Sequence, residues 1–530
     1  MRKIYLIFSI ICLFFAVTPV GFAFTAEKYD LIITNARIID GTGNPWFYGS
    51  IGVKDGKIIK IGQFEANDAE QIIDAKNNIV APGFIDVHAH TESIYKSPKA
   101  ENFIRMGVTS VITGNCGGSV INTGKFLDRI KDEPLAINIG TLIAHGSVRE
   151  EVLGLGDRQP TPEEQAKMNA IVERAMKEGA VGLSTGLIYV PGTYAKTEEV
   201  IELAKIAAKY KGVYASHIRN EGEKVVEAIN EAINIGEKAN LPVEISHFKI
   251  SSKNLWGESD KTIGLVKAAR ERGTQVTIDQ YAYTASSTSL DARLPGWAIA
   301  GGREEGIKRI ENPETRKKII EDLKKNLKSK GFKDFSFAYV ASYNPNPAFN
   351  GKNIAEITKM ARGTKKLNAQ IDQIFEMYKT GRVQMVYRMM DENDVQNIMR
   401  QPFTMIAADS GVREFGEGVP HPRGYGNNAR VLGRYVRELK IISLEDAIRK
   451  MTSLPAQTFR LNDRGLLKEG FAADIVIFDE KTITDKATFE NPHQYAEGFQ
   501  AVIVNGKMVF DGSKMTDAMP GQALYGSGAE

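Results

Sequence analysis

GFIDVHAH, residues 83–90, is the stretch on which the fold turns. An apolar run of strand length ends in two histidines one residue apart. In an extended strand, residues two apart project to the same face, so His88 and His90 can both reach one ion. The pattern then returns along the chain. GVTSVITGNC (107–116), AINIGTLIAH (136–145), AVGLSTGL (180–187), GVYASHI (212–218), PVEISHF (242–248), TQVTIDQYAY (274–283) and FTMIAADS (403–410) are further apolar runs of β character, making eight in all. Segments of helical length separate them, such as NEGEKVVEAINEAINIGEKAN (220–240) and TEEVIELAKIAAKYKG (197–212). In the latter, Val200, Leu203, Ala204 and Ala207 form one stripe, and Gly212 is expected to stop the helix. Eight strand–helix repeats predict an α/β protein built on a (β/α)8 barrel of the TIM type, with its active site at the C-terminal ends of the strands.

Those ends carry a consistent chemistry. His88 and His90 close run one, Cys116 run two, His217 run five, His247 run six and Asp409 run eight. The barrel would gather all six at one mouth, and thiolate, imidazole and carboxylate are the ligand types of zinc. Only seven histidines occur in 530 residues, so four of them at strand ends is informative. Asp409 is placed to act as general base on a water and then as acid toward a leaving amine, with zinc polarising a carbonyl. An arginine fork suits a carboxylate ligand, and Arg423 follows Asp409 in the loop beyond strand eight.

The flanks differ from the barrel. Residues 28–80 read as short strands, with a hairpin tip at Asp55-Gly56, and the C-terminal GFAADIVIFD and FQAVIVNGKMVFDG are also β-rich, with a tip at Asn505-Gly506. Both ends are expected to pair into one small β-sandwich, residues 24–82 and 464–530, beside a barrel at 83–463. Between strands seven and eight lie about 120 residues, against the few of an ordinary connection. This insertion, at about 285–400, includes the Lys-rich segment 316–330 and a helical run near 371–379. It is read as a lid or specificity element, because loops after barrel strands face the site. Leu294 and Trp297 are its candidate side-chain pocket residues, or else its core.

Residues 1–23 form a secretory leader: Arg2 and Lys3, an apolar run from Ile4 to Val17 that includes Cys12, then Pro19 and the small-x-small signal Gly21-Phe22-Ala23. Cleavage after Ala23 and a periplasmic destination are expected. The other reading is an uncleaved N-terminal anchor, although the run falls short of the roughly 20 residues a span needs. No membrane span is expected in the mature chain, where Cys116 is the one remaining cysteine. A net charge of +3, with 42% hydrophobic and 25% charged residues, gives no argument for a nucleic-acid partner.

Beyond these residue-level readings, the chain resembles the D-aminoacylase (N-acyl-D-amino-acid deacylase) family of the amidohydrolase superfamily. The marks are GFIDVHAH, GNCGGS (114–119), GLSTGLIYVPG (182–192), ASHIRNEG (215–222), ISHFK (245–249), DQYAYTASST (279–288), HPRGYG (421–426) with ARVLGRYVRE (429–438), and MTSLPAQTFRLNDRGLLKEGFAADIVIFD (451–479). The resemblance implies zinc-dependent hydrolysis of N-acyl-D-amino acids or small peptides ending in a D-residue, and it alone supplies the handedness. It implies a tight zinc on Cys116, His217 and His247, and a second, weaker position at His88 and His90 with Cys116. It assigns the substrate carboxylate to Lys249, Tyr283, Ser287 and Arg423. His421 is expected to support the site, while His145 and Tyr189 are left open between orienting substrate and shaping a loop. Many dinuclear amidohydrolases carry a bridging lysine at the end of strand four, and this chain has none there. That argues against the alternative of a cyclic-amide hydrolase of the dihydropyrimidinase kind. An inactive barrel serving as a binding module would be expected to have lost ligands, and all six are present. Two departures from the family pattern, Glu92 and the run Asn427-Asn428-Ala429, are expected near the mouth.

Overall fold

The computed structural model describes residues 28–64 and 69–530. The leader expected at 1–23, with Cys12, lies outside the described residues. Among the described residues no helix is long and apolar enough to cross a membrane.

All eight apolar runs are strands. In chain order, barrel strands one to eight are Phe84–Asp86, Val108–Thr113, Asn138–Thr141 continuing into Ile143–Ala144, Gly182–Gly186, Val213–His217, Val243–Ile245, Val276–Gln280 and Thr404–Ile406. Every pairing among them is parallel and joins neighbours in sequence. Strand three is shared, its first half pairing with strand two and its second with strand four. Strands one and eight meet through a parallel bridge between Ala89 and Ser410. The strands are short, and apolar residues dominate them because helices cover the outer face.

The helices follow their sequence signals. Thr197–Lys209 buries Val200, Leu203, Ala204 and Ala207, the stripe read from the sequence. Gly212 is not the left-handed stop expected of it: Lys211 takes that conformation, at φ 58°. Gly212 instead donates its N–H to Ala207 O and permits a close pass, since a Cβ there would sit 3.1 Å from Gly182 Cα.

The insertion has its own architecture. Ser286–Ser289, Gln384–Tyr387 and Ala338–Ser342 form a three-stranded antiparallel sheet with Gln384–Tyr387 in the centre. Ile319, Leu323, Ile371, Ile374, Phe375 and Met385 fill its separate core, and Leu294 is buried in it. Trp297 packs on the same core and donates Nε1–H to Asp322 at 2.9 Å. Both are therefore core residues of the insertion. The next helix, Glu392–Met399, already rejoins the barrel, where Asn397 donates to Ser259 at 3.0 Å. The inserted unit thus ends near Tyr387, earlier than its apparent limit near residue 400.

The chain ends do combine, but into one hydrogen-bonded sheet. Its order is Lys507–Phe510, Phe499–Val504, Ile475–Phe478, Ile79–Pro82, Tyr29–Ile38, Phe47–Lys54 and Lys57–Gly62, with Ala69–Asp74 also on Tyr29–Ile38. The sheet curls around a core of Ile33, Ile38, Ile51, Val80, Ile477 and Ile503. A bridge between Lys57 and Ala472 and contact between the two hairpin tips, Gly56 and Gly506, bring its far regions together. A buried polar cluster docks it on the barrel. Asn138 of strand three donates to Asp474 at 2.9 Å and accepts from Asn505 at 2.7 Å, while Asp474 is paired with the buried Arg464. Asp474→Ala would leave that arginine buried without its carboxylate, a loss of about 3–5 kcal/mol. The expected outcome is a clear drop in the unfolding midpoint, measured by denaturant titration followed by circular dichroism.

Candidate metal centre

A cavity of about 670 Å³ opens at the C-terminal ends of the strands. His90, Cys116, His217, His247, Lys249, Ser287, Asp409 and Arg423 all line it. The insertion contributes Ser286, Thr288, Ala292, Arg293, Ala341, Ser342 and Gln384, so it forms part of the wall.

At the floor, donor atoms converge. Three sets each have their ligand atoms within 4.8 Å of one another: His88, His90 and Cys116; Cys116, His217 and His247; His88, His247 and Asp409. His247 Nε2 lies 2.8 Å from His217 Nδ1 and 3.5 Å from Cys116 Sγ. His88 Nε2 lies 3.2 Å from the same sulfur, and His90 Nε2 lies 3.2 Å from Asp409 Oδ1.

Two carboxylates decide which ring atoms face inward. Asp279 Oδ2 stands 3.0 Å from His88 Nδ1, and its Oδ1 accepts the backbone N–H of His247 at 2.9 Å. A carboxylate only accepts, so His88 carries its proton on Nδ1 and presents a bare Nε2 to the centre. Glu221 Oε1 does the same for His247, 3.1 Å from Nδ1. Lys249 Nζ, which donates to Glu221 and to His247 O, is also 2.9 Å from that nitrogen. Anionic Glu221 is the stronger partner for the imidazole N–H. Carboxylate–histidine pairs of this kind accompany metal ligands. Burial, reinforced by the neighbouring His247, holds His217 well below the ordinary histidine range, keeping it neutral. Its Nε2 is buried and, among the described residues, has no hydrogen-bond partner, with Glu221 Oε1 3.7 Å away. Burial, and next Asp409, push the Cys116 thiol well up, so a thiolate here needs a cation beside it. The donor set therefore fits a soft divalent cation such as zinc.

The backbone is bent to make this convergence. Cys116 (φ 53°), His247 (φ 37°) and Asp409 (φ 49°) all adopt the left-handed conformation just past their strands. Non-glycine residues rarely do so, and such strain gathers at functional sites. Glycines make room for the Cys116 turn: a Cβ on Gly186 would lie 2.0 Å from Cys116 O, and one on Gly117 2.6 Å from Gly186 N. The end of strand four is thus occupied by the Cys116 loop, where a side chain such as the bridging lysine has no space.

Asp409 pairs with Arg423 at 2.9 Å, and Arg423 lies 4.4 Å over the ring of Tyr281. Burial opposes ionisation of Asp409, but Arg423, His88 and His90 outweigh it and hold the carboxyl well below its usual range. Ser287 donates to Met385 O at 2.8 Å on the insertion wall. Tyr283 does not join this group. Past strand seven the chain leaves extended geometry, and the Tyr283 hydroxyl turns to Asp485 at 3.3 Å, under Arg430 and away from the cavity. His421 accepts from Arg423 N on Nδ1 and donates to Ala285 O from Nε2, fixing the start of the helix that carries Arg423. His145 is buried against Glu199 at 2.8 Å, joining the helix His145–Leu153 to Thr197–Lys209. Tyr189 lines the cavity, edge-on to His217 and bonded to Thr288 at 3.0 Å. Glu92 and Asn427 are structural: Glu92 accepts from Thr113 and Gly114, and Asn427 from Ala282 N. Asn428 and Ala429 are buried beside Asn427 in the helix that begins at Arg423.

Asp279, Glu221 and Asp86 were not singled out by the sequence reading. Asp86 accepts from His88 N at 3.1 Å and Ala408 N at 2.8 Å, tying strand one to strand eight, and burial raises it to about 7. The available signal was acidic residues inside or directly after otherwise apolar strand motifs: FID, NEG and IDQ.

The amidohydrolase family model matches residues 79–509. A D-aminoacylase of Alcaligenes xylosoxydans xylosoxydans is 34% identical over 523 residues, covering 94% of this chain and 98% of the relative. The chain belongs to the D-aminoacylase family of amidohydrolases. An N-acyl-D-glutamate deacylase of the same organism is 34% identical over 507 residues, covering 91% of this chain and 94% of its own. The solved N-acyl-D-glutamate deacylase of Bordetella bronchiseptica superposes with a TM-score of 0.81 at 32% identity, over 94% of this chain and all of that one. That enzyme was crystallised with zinc and a phosphonate mimic of the tetrahedral intermediate. In this D-aminoacylase-family chain, Asp279→Asn should weaken zinc binding 10- to 100-fold, roughly the effect of losing a carboxylate behind a ligand histidine. Metal content after dialysis against graded chelator measures it.

Proposed function

We propose that this chain is a zinc-dependent hydrolase of the amide bond in N-acyl-D-amino acids, including small peptides with a C-terminal D-residue, and that it is exported to the periplasm. The observation that carries the reading is the Asp409–Arg423 pair at the rim of a histidine–cysteine cluster, in a family whose relatives deacylate N-acyl-D-amino acids. Those relatives' names support the D hand. Cys116, His217 and His247 would hold one zinc, and His88 and His90, sharing Cys116, a weaker second. When bound, zinc supplies Lewis acidity that polarises the amide carbonyl and activates water.

The protein groups do the rest. Arg423 has five donors; one faces Asp409, and those remaining can fork onto the substrate α-carboxylate. Lys249 and Ser287 flank the same space, fixing the scissile carbonyl relative to Asp409. The Asp409 carboxylate takes a proton from the attacking water as the C–O bond forms. It then returns that proton to the amide nitrogen as the C–N bond breaks, releasing a free amine and a carboxylate. The cavity walls hold the acyl and side-chain substituents.

The test is release of free amine from matched N-acetyl-D- and N-acetyl-L-amino acids by the zinc-loaded protein. Turnover of the D series alone is expected; equal rates for both hands, or none, would overturn the reading. Asp409→Asn should lower kcat by about 10²- to 10⁴-fold, the range for loss of a general acid–base. At least one zinc per chain should be retained. The leader supports export: N-terminal sequencing of the mature protein from a periplasmic extract should begin at Phe24, whereas an intact N terminus in the membrane fraction would identify an anchor.

A further inference from the structure

The insertion carries a charge that the cavity does not use. Residues 286–387 hold 19 lysines and arginines against 11 acids, a net +8, while the whole chain totals +3 and the remainder is therefore −5. Much of the excess collects at one end of the unit. In the helix Pro313–Ser329, Ile319, Leu323 and Leu327 recur every fourth residue and take the buried face. Lys324, Lys325 and Lys328 stand on the exposed side of the same turns, and Lys333 follows just past the helix. Lys365 and Lys366 are tied to this end through Gln370, which donates from Nε2 to Lys365 O at 2.7 Å and accepts the N–H of Phe335 at 2.9 Å. All six lysines are exposed, and none forms an ion pair or a side-chain hydrogen bond among the described residues. The neighbouring acids do not answer them. Asp322 accepts from Trp297 Nε1 and Asp334 from Ser336 N, each at 2.9 Å, which leaves Glu321 as the exposed acid among these lysines. None of the six lines the cavity.

We propose that this end of the insertion is a docking face for the anionic surface of a lipid bilayer. Lysine presents a compact, rotatable point charge, which suits mobile headgroup phosphates, whereas ordered bidentate recognition draws on arginine, and the six contain none. A single-stranded nucleic acid is held by stacking its bases on aromatic rings, and among the described residues no aromatic side chain of the insertion is exposed. Met360 is exposed instead, five residues before Lys365, an apolar side chain of the kind that enters the headgroup boundary. The acidic remainder of the chain is repelled by the same surface, so docking has one orientation, insertion first. Each lysine close to an anionic leaflet strengthens binding roughly five-fold. The face lies outside the deacylase cavity and acts whether or not that cavity deacylates.

The experiment is cosedimentation of the mature chain, from Phe24 onward, with vesicles of phosphatidylcholine alone or mixed with phosphatidylglycerol, at low and at raised salt. Binding is expected only where phosphatidylglycerol is present, and it should fall as salt screens it. The triple variant Lys324→Glu, Lys325→Glu, Lys328→Glu should weaken the apparent affinity by more than about 10-fold, and Lys333→Gln, Lys365→Gln, Lys366→Gln by a smaller factor in the same direction. Lys261→Glu, Lys468→Glu, Lys481→Glu is the control: these exposed lysines lie outside the insertion, and the change in net charge is identical. Binding by the control should stay within about twofold of wild type. Circular dichroism verifies the fold of each variant. Where the glutamate triple fails to fold, Lys324→Gln, Lys325→Gln, Lys328→Gln takes its place and should also lose affinity. No cosedimentation with phosphatidylglycerol vesicles, an equal loss in the control, or full binding by the insertion variants would overturn the proposal. So would binding of a DNA duplex at a salt concentration where vesicles are not bound, since it would assign the charge to a nucleic acid. Vesicle binding is read without turnover, so its failure leaves the deacylase reading standing.

Discussion

The site depends on keeping bare nitrogen and sulfur lone pairs aimed at one small, buried volume. Left alone, neutral imidazoles would turn toward donors, and a buried thiol would stay protonated. Asp279 and Glu221 prevent the first by claiming the outer N–H of His88 and His247. Each carboxylate is itself buried, so each needs its own partners. Asp279 also holds the His247 backbone, and Glu221 is neutralised by Lys249. The inner atoms thus depend on an outer layer of charge, and that layer depends on strands five, six and seven being correctly placed. Lys249 is thereby committed twice, once to Glu221 and once to the cavity it lines.

The barrel supplies direction and the turns supply reach. Parallel strands deliver residues to one rim, but continued extended geometry would leave the side chains of Cys116, His247 and Asp409 perpendicular to the barrel wall. The left-handed step at each of the three redirects the side chain across the mouth. The GNCGGS and GLSTG motifs are complementary halves of one such turn, because the Cys116 carbonyl occupies the space a side chain on Gly186 would fill.

The barrel was legible because its strands are continuous apolar runs with polar ends, and the donor residues sit at those ends. Residues whose role depends on where a side chain turns were less legible. Tyr283 stands in a motif beside the site but past the end of strand seven, where alternation no longer fixes a face. Leu294 and Trp297 share an insertion with cavity residues, yet its separate core claims both. Asp279 and Glu221 escaped notice because a carboxylate next to a strand motif reads as solvated until its burial is known. The order of the terminal sheet was beyond local pattern altogether, since hairpin signals give neighbours in sequence and not the pairing of ends that lie hundreds of residues apart.

That pairing has a consequence for biosynthesis. Ile475–Phe478 occupies the middle of the sheet, hydrogen-bonded to Ile79–Pro82 on one side and Phe499–Val504 on the other. During synthesis the strand at Ile79–Pro82 therefore waits with an open edge while the whole barrel is made. The same strand leads into Phe84–Asp86, whose end carries His88. A chain cut short before residue 475 keeps that edge unpaired, the kind of surface that templates aggregation. Completion of the polypeptide is thus needed to close the sheet, although all six candidate ligands lie before residue 475.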